Sequence, residues 1–158
     1  MTEDIALKQG NETGGSGSRA WLWWAMALAY PAFLFLAAVR PEFGADATRA
    51  IVEMILPHLD SRQVHMVVVV LRKAGHFLGY GLFAMILANA IYSIPRGKRD
   101  RRRVVVSCLA AALIALGVAA MDEYVQSMVP HRTGARQDVA LDLLGIVVGI
   151  LIKAGRGF

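Results

Sequence analysis

Cysteine is almost missing from this sequence. The single residue, Cys108, lies inside an apolar block with no second thiol to meet, so no internal disulfide frames the fold. No internal repeat is visible, and no glycine-rich nucleotide loop, nucleophilic serine elbow or HExxH helix occurs. These absences remove the familiar nucleotide-dependent, serine-hydrolase and zincin classes. Charge is sparse as well: 18% of the 158 residues are charged against 56% hydrophobic. With a mean hydropathy of +0.49, the chain is too apolar for an ordinary soluble domain, and its apolar residues are gathered into long blocks. The composition is that of a membrane protein.

Three blocks approach or reach the roughly 20 residues a helix needs to cross a bilayer: Trp21 to Val39, Ala74 to Tyr92 and Val104 to Met121. A fourth, Val139 to Ile152, is short and contains Asp142. It spans only if residues 136–138 and Lys153 sit at the two interfaces. The expected fold is an all-α membrane protein, a bundle of about four transmembrane helices (about 20–39, 73–93, 104–124 and 137–153) with an outer interfacial helix. Residues 20–158 form this domain, and residues 1–19, rich in glycine and serine, form a flexible cytoplasmic tail. The first block exceeds a usual signal core and lacks a small-residue cleavage site, so it reads as a retained helix. Ala45 to Leu56 carries Ile51, Met54 and Ile55 at helical spacing and ends before Pro57, which suits a helix lying in the interface. A single helix from Arg62 to Tyr92 would be about 45 Å long, so the Val67 to Leu71 part must tilt, protrude or bend.

The net charge of +5 and pI of about 9.8 invite a nucleic-acid reading. The bases cluster beside apolar segments rather than along an aromatic-studded face, so no nucleic-acid partner is expected. They read as topology signals. Pro95 to Arg103 carries six Lys and Arg residues in one short connection. The positive-inside rule therefore makes that loop cytoplasmic, puts both termini inside, and turns the connections 40–73 and 122–138 outward.

Polar residues from three helices then converge on the outer face. Lys73, His76 and Tyr80 share one face of the second block, and Asp122, Glu123 and Gln126 occupy one turn at the end of the third. His131, Arg132 and Arg136 follow in the connection, and Asp138 and Asp142 open the fourth. The bland readings are concrete. Lys73 and Arg72 snorkel, His76 ties helices together, Tyr80 packs, Asp138 caps a helix, and Gly145 and Gly149 make a close helix contact. Asp142 and the Asp122/Glu123 pair resist such readings, because a carboxylate in an apolar helix costs roughly 2.5–3.5 kcal/mol on insertion scales and needs a partner or a wet cavity. A structural ion network meets that need without catalysis.

The run "RKAGHFLGY" followed by "DEYVQSMVPHRTGARQDVALDLLGIVVG" resembles the VanZ-like membrane proteins. The matching positions are Lys73, His76, Phe77, Tyr80, Asp122, Glu123, Gln126, Pro130, Arg132, Gly134, Asp138, Asp142, Gly145 and Gly149. Gly79 stands where that pattern often carries an acid, and Asp142 where asparagine is common. The resemblance implies a small bundle of about four transmembrane helices and an association, through the namesake, with low-level resistance to teicoplanin-type glycopeptides. It implies no established reaction.

Basic groups beside a histidine suit an anionic ligand: Arg132 can hold a phosphate bidentately and Lys73 supplies a point charge. In an enzyme, His76 is the acid/base or nucleophile and Asp122 or Asp138 orients it, with Glu123 in the same catalytic group. Lys73, Tyr80, Gln126, Arg132 and Asp142 then bind ligand. The expected function is binding or modification of an anionic cell-envelope lipid or cell-wall precursor at the outer face of the bacterial cytoplasmic membrane. A non-catalytic membrane module is the alternative. A divalent-metal site from His76, Asp122, Glu123 and Asp138 ranks lower because no metal-signature spacing supports it, so no metal and no cofactor are expected. The motifs of familiar membrane lipid phosphatases are absent, a transporter is disfavoured without an inverted repeat, and the oligomeric state is open.

Overall fold

The computed structural model describes residues 14–40, 44–94, 100–128 and 136–157. Among the described residues there are five helices and no strand: α1 (Gly14–Val39), α2 (Ala45–Ile55), α3 (Ser61–Ser93), α4 (Arg101–Met128) and α5 (Arg136–Arg156). Each of the four apolar blocks lies on one helix, and the expected interfacial segment is α2.

Helix bounds differ from the expected ones in ways the side chains explain. The helix expected over 73–93 begins twelve residues earlier, at Ser61. Asp60 caps it: its carboxylate accepts from the amides of Arg62 and Gln63, and the Gln63 side chain returns to the Asp60 amide, each at 2.9 Å. The chain then runs as one helix for 33 residues, about 50 Å. α2 packs on its first turns, with Val52 against Val64 and Val68. At the other end, Ile94 is extended, as a residue before proline prefers, and α3 stops there. Asp100 accepts from the Arg103 amide at 2.9 Å and starts α4 inside the basic run, so Arg101 to Arg103 are helical rather than loop. Arg103 also donates to the carbonyls of Tyr92, at 2.7 Å, and Ile94, and lies 4.9 Å over the Tyr92 ring. It thereby caps the end of α3 from the start of α4. Residues 14–19, assigned above to the flexible tail, continue α1 upstream.

By length and composition, α3 and α4 are apolar enough to cross a membrane, and α1 carries a shorter apolar stretch at Ala20–Leu36. In α5 the apolar run is interrupted by Asp142 and bounded by Asp138, Lys153 and Arg156. Large apolar side chains point outward along the bundle, among them Leu28, Leu109, Leu113 and Leu151. Water would penalise that surface and lipid would not.

The centre is built from small residues. On α4, Ala111, Ala115 and Ala119 form a fully buried stripe, and Ala84 and Ala88 of α3 are equally buried. Such stripes let backbones approach where no hydrophobic effect drives helices together. The most extensive contact is between α3 and α5. Here glycine is required: a methyl on Gly81 would lie 2.9 Å from the Gly145 carbonyl oxygen, and methyls on Gly145 and Gly149 would collide with the carbonyls of Phe77 and Gly81. α1 joins through Tyr30, which stacks on Phe83 at 5.6 Å and donates to the Gly79 carbonyl at 3.1 Å.

Candidate functional site

The alanine stripe of α4 continues one turn further as Asp122 and then Gln126, so the face that packs on α3 becomes polar at that end. The same holds on α3, where the face of Ala84 and Ala88 continues back through Tyr80, His76 and Lys73. On α5 the face that carries Gly145 and Gly149 reaches Asp142 and Asp138. Three close-packed seams therefore lead into one polar cluster, and helical periodicity alone carries these side chains there.

A buried pair and a buried trio form the centre of the described cluster. His76 Nδ1 and Asp142 Oδ1 are 3.1 Å apart, with the Asp142 side chain fully enclosed and His76 partly open. Next to them the Tyr80 hydroxyl donates to Asp122 Oδ2 at 3.1 Å, and Gln126 Nε2 donates to the same oxygen at 3.0 Å. The His76 and Tyr80 rings are stacked, with centroids 6.4 Å apart. Lys73 and Asp138 form a longer ion pair, 3.8 Å, at the exposed rim. Glu123 is buried beside the first pair, and one nitrogen or oxygen from each of His76, Glu123 and Asp142 falls within 4.8 Å of the others.

Burial makes this grouping chemically demanding. Asp122 Oδ1 and Asp142 Oδ2 are buried and accept no hydrogen bond among the described residues. A buried acceptor left so costs roughly 1–3 kcal/mol, and more when charged. The cluster therefore holds unsatisfied acceptor capacity in its interior.

Of the residues singled out from sequence, Lys73, His76, Tyr80, Asp122, Glu123, Gln126, Asp138 and Asp142 converge at one end of the α3–α4–α5 seam. His131 and Arg132 lie outside the described residues, as does the side chain of Arg136. The aspartate facing His76 is Asp142, not Asp122 or Asp138 as expected for an orienting acid; Asp122 is held by Tyr80 and Gln126, and Asp138 by Lys73. Sequence reasoning overlooked Tyr30. Its hydroxyl occupies the space beside Gly79, where an added methyl would sit 3.2 Å from it, so the glycine at that position admits α1 to the rear of the site. The departure at Gly79 was the available signal.

A family model described as VanZ/LLP1 matches residues 21–154. No curated protein and no solved structure matches the chain.

Proposed function

The chain belongs to the VanZ/LLP1 family, and from that premise and the polar cluster we propose that it is an integral membrane protein which binds or modifies an anionic cell-envelope lipid or cell-wall precursor. In this reading α1, α3, α4 and α5 all span the bacterial cytoplasmic membrane, the 95–103 connection and both termini face the cytoplasm, and the cluster opens outward. The observation that carries it is the gradient of exposure from Lys73, half open at the rim, through the partly covered His76 to the enclosed Asp142. A cation at a mouth backed by an acid–imidazole pair suits capture of a phosphate and proton transfer to or from it. Arg132, three residues after the Val129 that follows α4, supplies the bidentate partner.

One observation favours the alternative, a non-catalytic module in which buried polar groups fasten the bundle. The Tyr80–Asp122–Gln126 set is closed upon itself, with all three side chains buried. That set fits a structural fastening of α3 to α4 beside the site.

The test is turnover of a panel of lipid phosphates and lipid-linked cell-wall precursors by the purified full chain, with His76→Ala and Arg132→Ala alongside. Product from wild type but not from folded variants supports the enzyme reading. No turnover, together with variants that melt early, supports the structural one. Topology is tested separately: a cysteine at Thr133 reacts with an impermeant reagent from outside and one at Gly97 does not, and the opposite labelling overturns the orientation.

A further inference from the structure

The interior of the cluster is richer in acid than an anion-binding site alone requires. Asp122, Glu123 and Asp142 are buried close together, and His76 meets Asp142 at 3.1 Å. We propose that His76, Glu123 and Asp142 form a binding site for one divalent transition-metal ion, with a ligand atom from each of α3, α4 and α5.

Geometry supports this three-residue set. The His76 Nδ1 to Asp142 Oδ1 separation is already 3.1 Å. Ligands held about 2.1 Å from a shared ion lie roughly 3.0–3.4 Å apart, so the spacing of that pair suits a shared ion once the ion displaces the proton between them. One ligand atom from each of the three residues lies within 4.8 Å of the others, and binding an ion at about 2.1 Å would draw the set together. The second observation is independent of the clustering: Asp142, fully buried, has no hydrogen-bond donor to Oδ2 among the described residues. An ion supplies the missing electrophile. Asp122 stays outside the set because its Oδ2 already accepts from Tyr80 and Gln126. One imidazole nitrogen with two carboxylates matches Mn²⁺ or Zn²⁺ better than Ca²⁺ or Mg²⁺, which take oxygen-dominated shells. The ion would also offset the two carboxylate charges behind Lys73, so that an anionic headgroup meets less repulsion from the interior. The ion site stands whether or not the ligand is an envelope lipid.

The test uses the full chain purified in detergent, stripped with chelator and titrated with Mn²⁺ alone, read by calorimetry and by electron spin-echo modulation. The expected result is one equivalent per chain with modulation from one ligating imidazole nitrogen. Glu123→Gln and Asp142→Asn each weaken binding at least about tenfold, whereas Glu53→Gln on the α2 surface leaves it unchanged. Should either variant fail to fold, the wild-type stoichiometry and nitrogen modulation decide. Absence of saturable binding, binding without nitrogen modulation, or binding that persists in the folded variants overturns the proposal. Lipid turnover is measured on separate samples, so failure of the envelope-lipid reading leaves this outcome distinguishable.

Discussion

Replacing glycine by alanine should have opposite signs at different positions of this bundle. At Gly145 the added methyl falls on the Phe77 carbonyl, 2.9 Å from its carbon and 3.1 Å from the Phe77 Cα, and closer still to its oxygen. Ordinary contacts begin near 3.4 Å, so α5 must retreat from α3 by at least about half an ångström. The obstructing atoms are backbone and cannot rotate aside. Overpacking of this kind costs about 1–3 kcal/mol, offset by the roughly 0.5–1 kcal/mol that alanine gains over glycine within a helix. The net expectation is a loss of up to about 2.5 kcal/mol, or up to about 10 °C in melting temperature for a chain of this length. At Gly75 and Gly117 an added methyl meets nothing within 4 Å. There only the helix term operates, and melting should rise by about 1–4 °C. Thermal unfolding of the three variants in one detergent, followed by fluorescence-detected size exclusion, reads the difference. Gly145→Ala melting with or above Gly117→Ala would refute the backbone-contact account of the α3–α5 crossing.

Other substitutions probe the remaining links. Tyr80→Phe removes one of the two hydrogen bonds to Asp122 Oδ2 and should cost about 1–3 kcal/mol by thermal unfolding, whereas a wild-type melting point would show that the Tyr80–Asp122 link carries no net energy. Lys73→Ala breaks only a long, half-exposed ion pair, so stability should change by less than about 1 kcal/mol, while affinity for vesicles containing anionic lipid should fall about fivefold. Equal vesicle binding by wild type and variant would remove Lys73 from the ligand reading. Arg103→Lys loses the planar fork that reaches two carbonyls and the Tyr92 ring, and hydrogen exchange at the end of α3 should accelerate; unchanged protection there would deny the cap.

Helical periodicity made the convergence of three polar faces legible, because Lys73, His76 and Tyr80 on one helix, and Asp138 and Asp142 on another, repeat at three- and four-residue spacing. It made Gly145 and Gly149 legible as a close contact for the same reason. The partners within the cluster were not legible. Whether His76 faces Asp122, Asp138 or Asp142 depends on the relative height and rotation of three helices, which spacing along one helix does not specify. The early start of α3 was hidden by Arg72 and Lys73, which look like a membrane boundary but sit in mid-helix. Its cap, Asp60 with Gln63, lies upstream of the apolar run, where hydropathy gives no signal. Tyr30 was harder to read because its partner is a backbone carbonyl, which leaves only the glycine at Gly79 as its trace in the sequence.

The two glycines of α5 also act as a vernier that admits one alignment of the helices. If α5 slid by four residues toward the Ser93 end of α3, Leu141 would take the place of Gly145 against the Phe77 carbonyl. If it slid the other way, Lys153 would take the place of Gly149 against Gly81. Smaller slips rotate larger side chains into the crossing. Sliding is thus blocked in both directions, and the height of Asp142 relative to His76 is fixed by steric exclusion at Gly145 and Gly149, within two turns of Asp142, rather than by the attraction between the two groups alone. Their mutual affinity is left out of the assembly problem, so the pair is free to be weak, strong or bridged by something else without the helices losing their place.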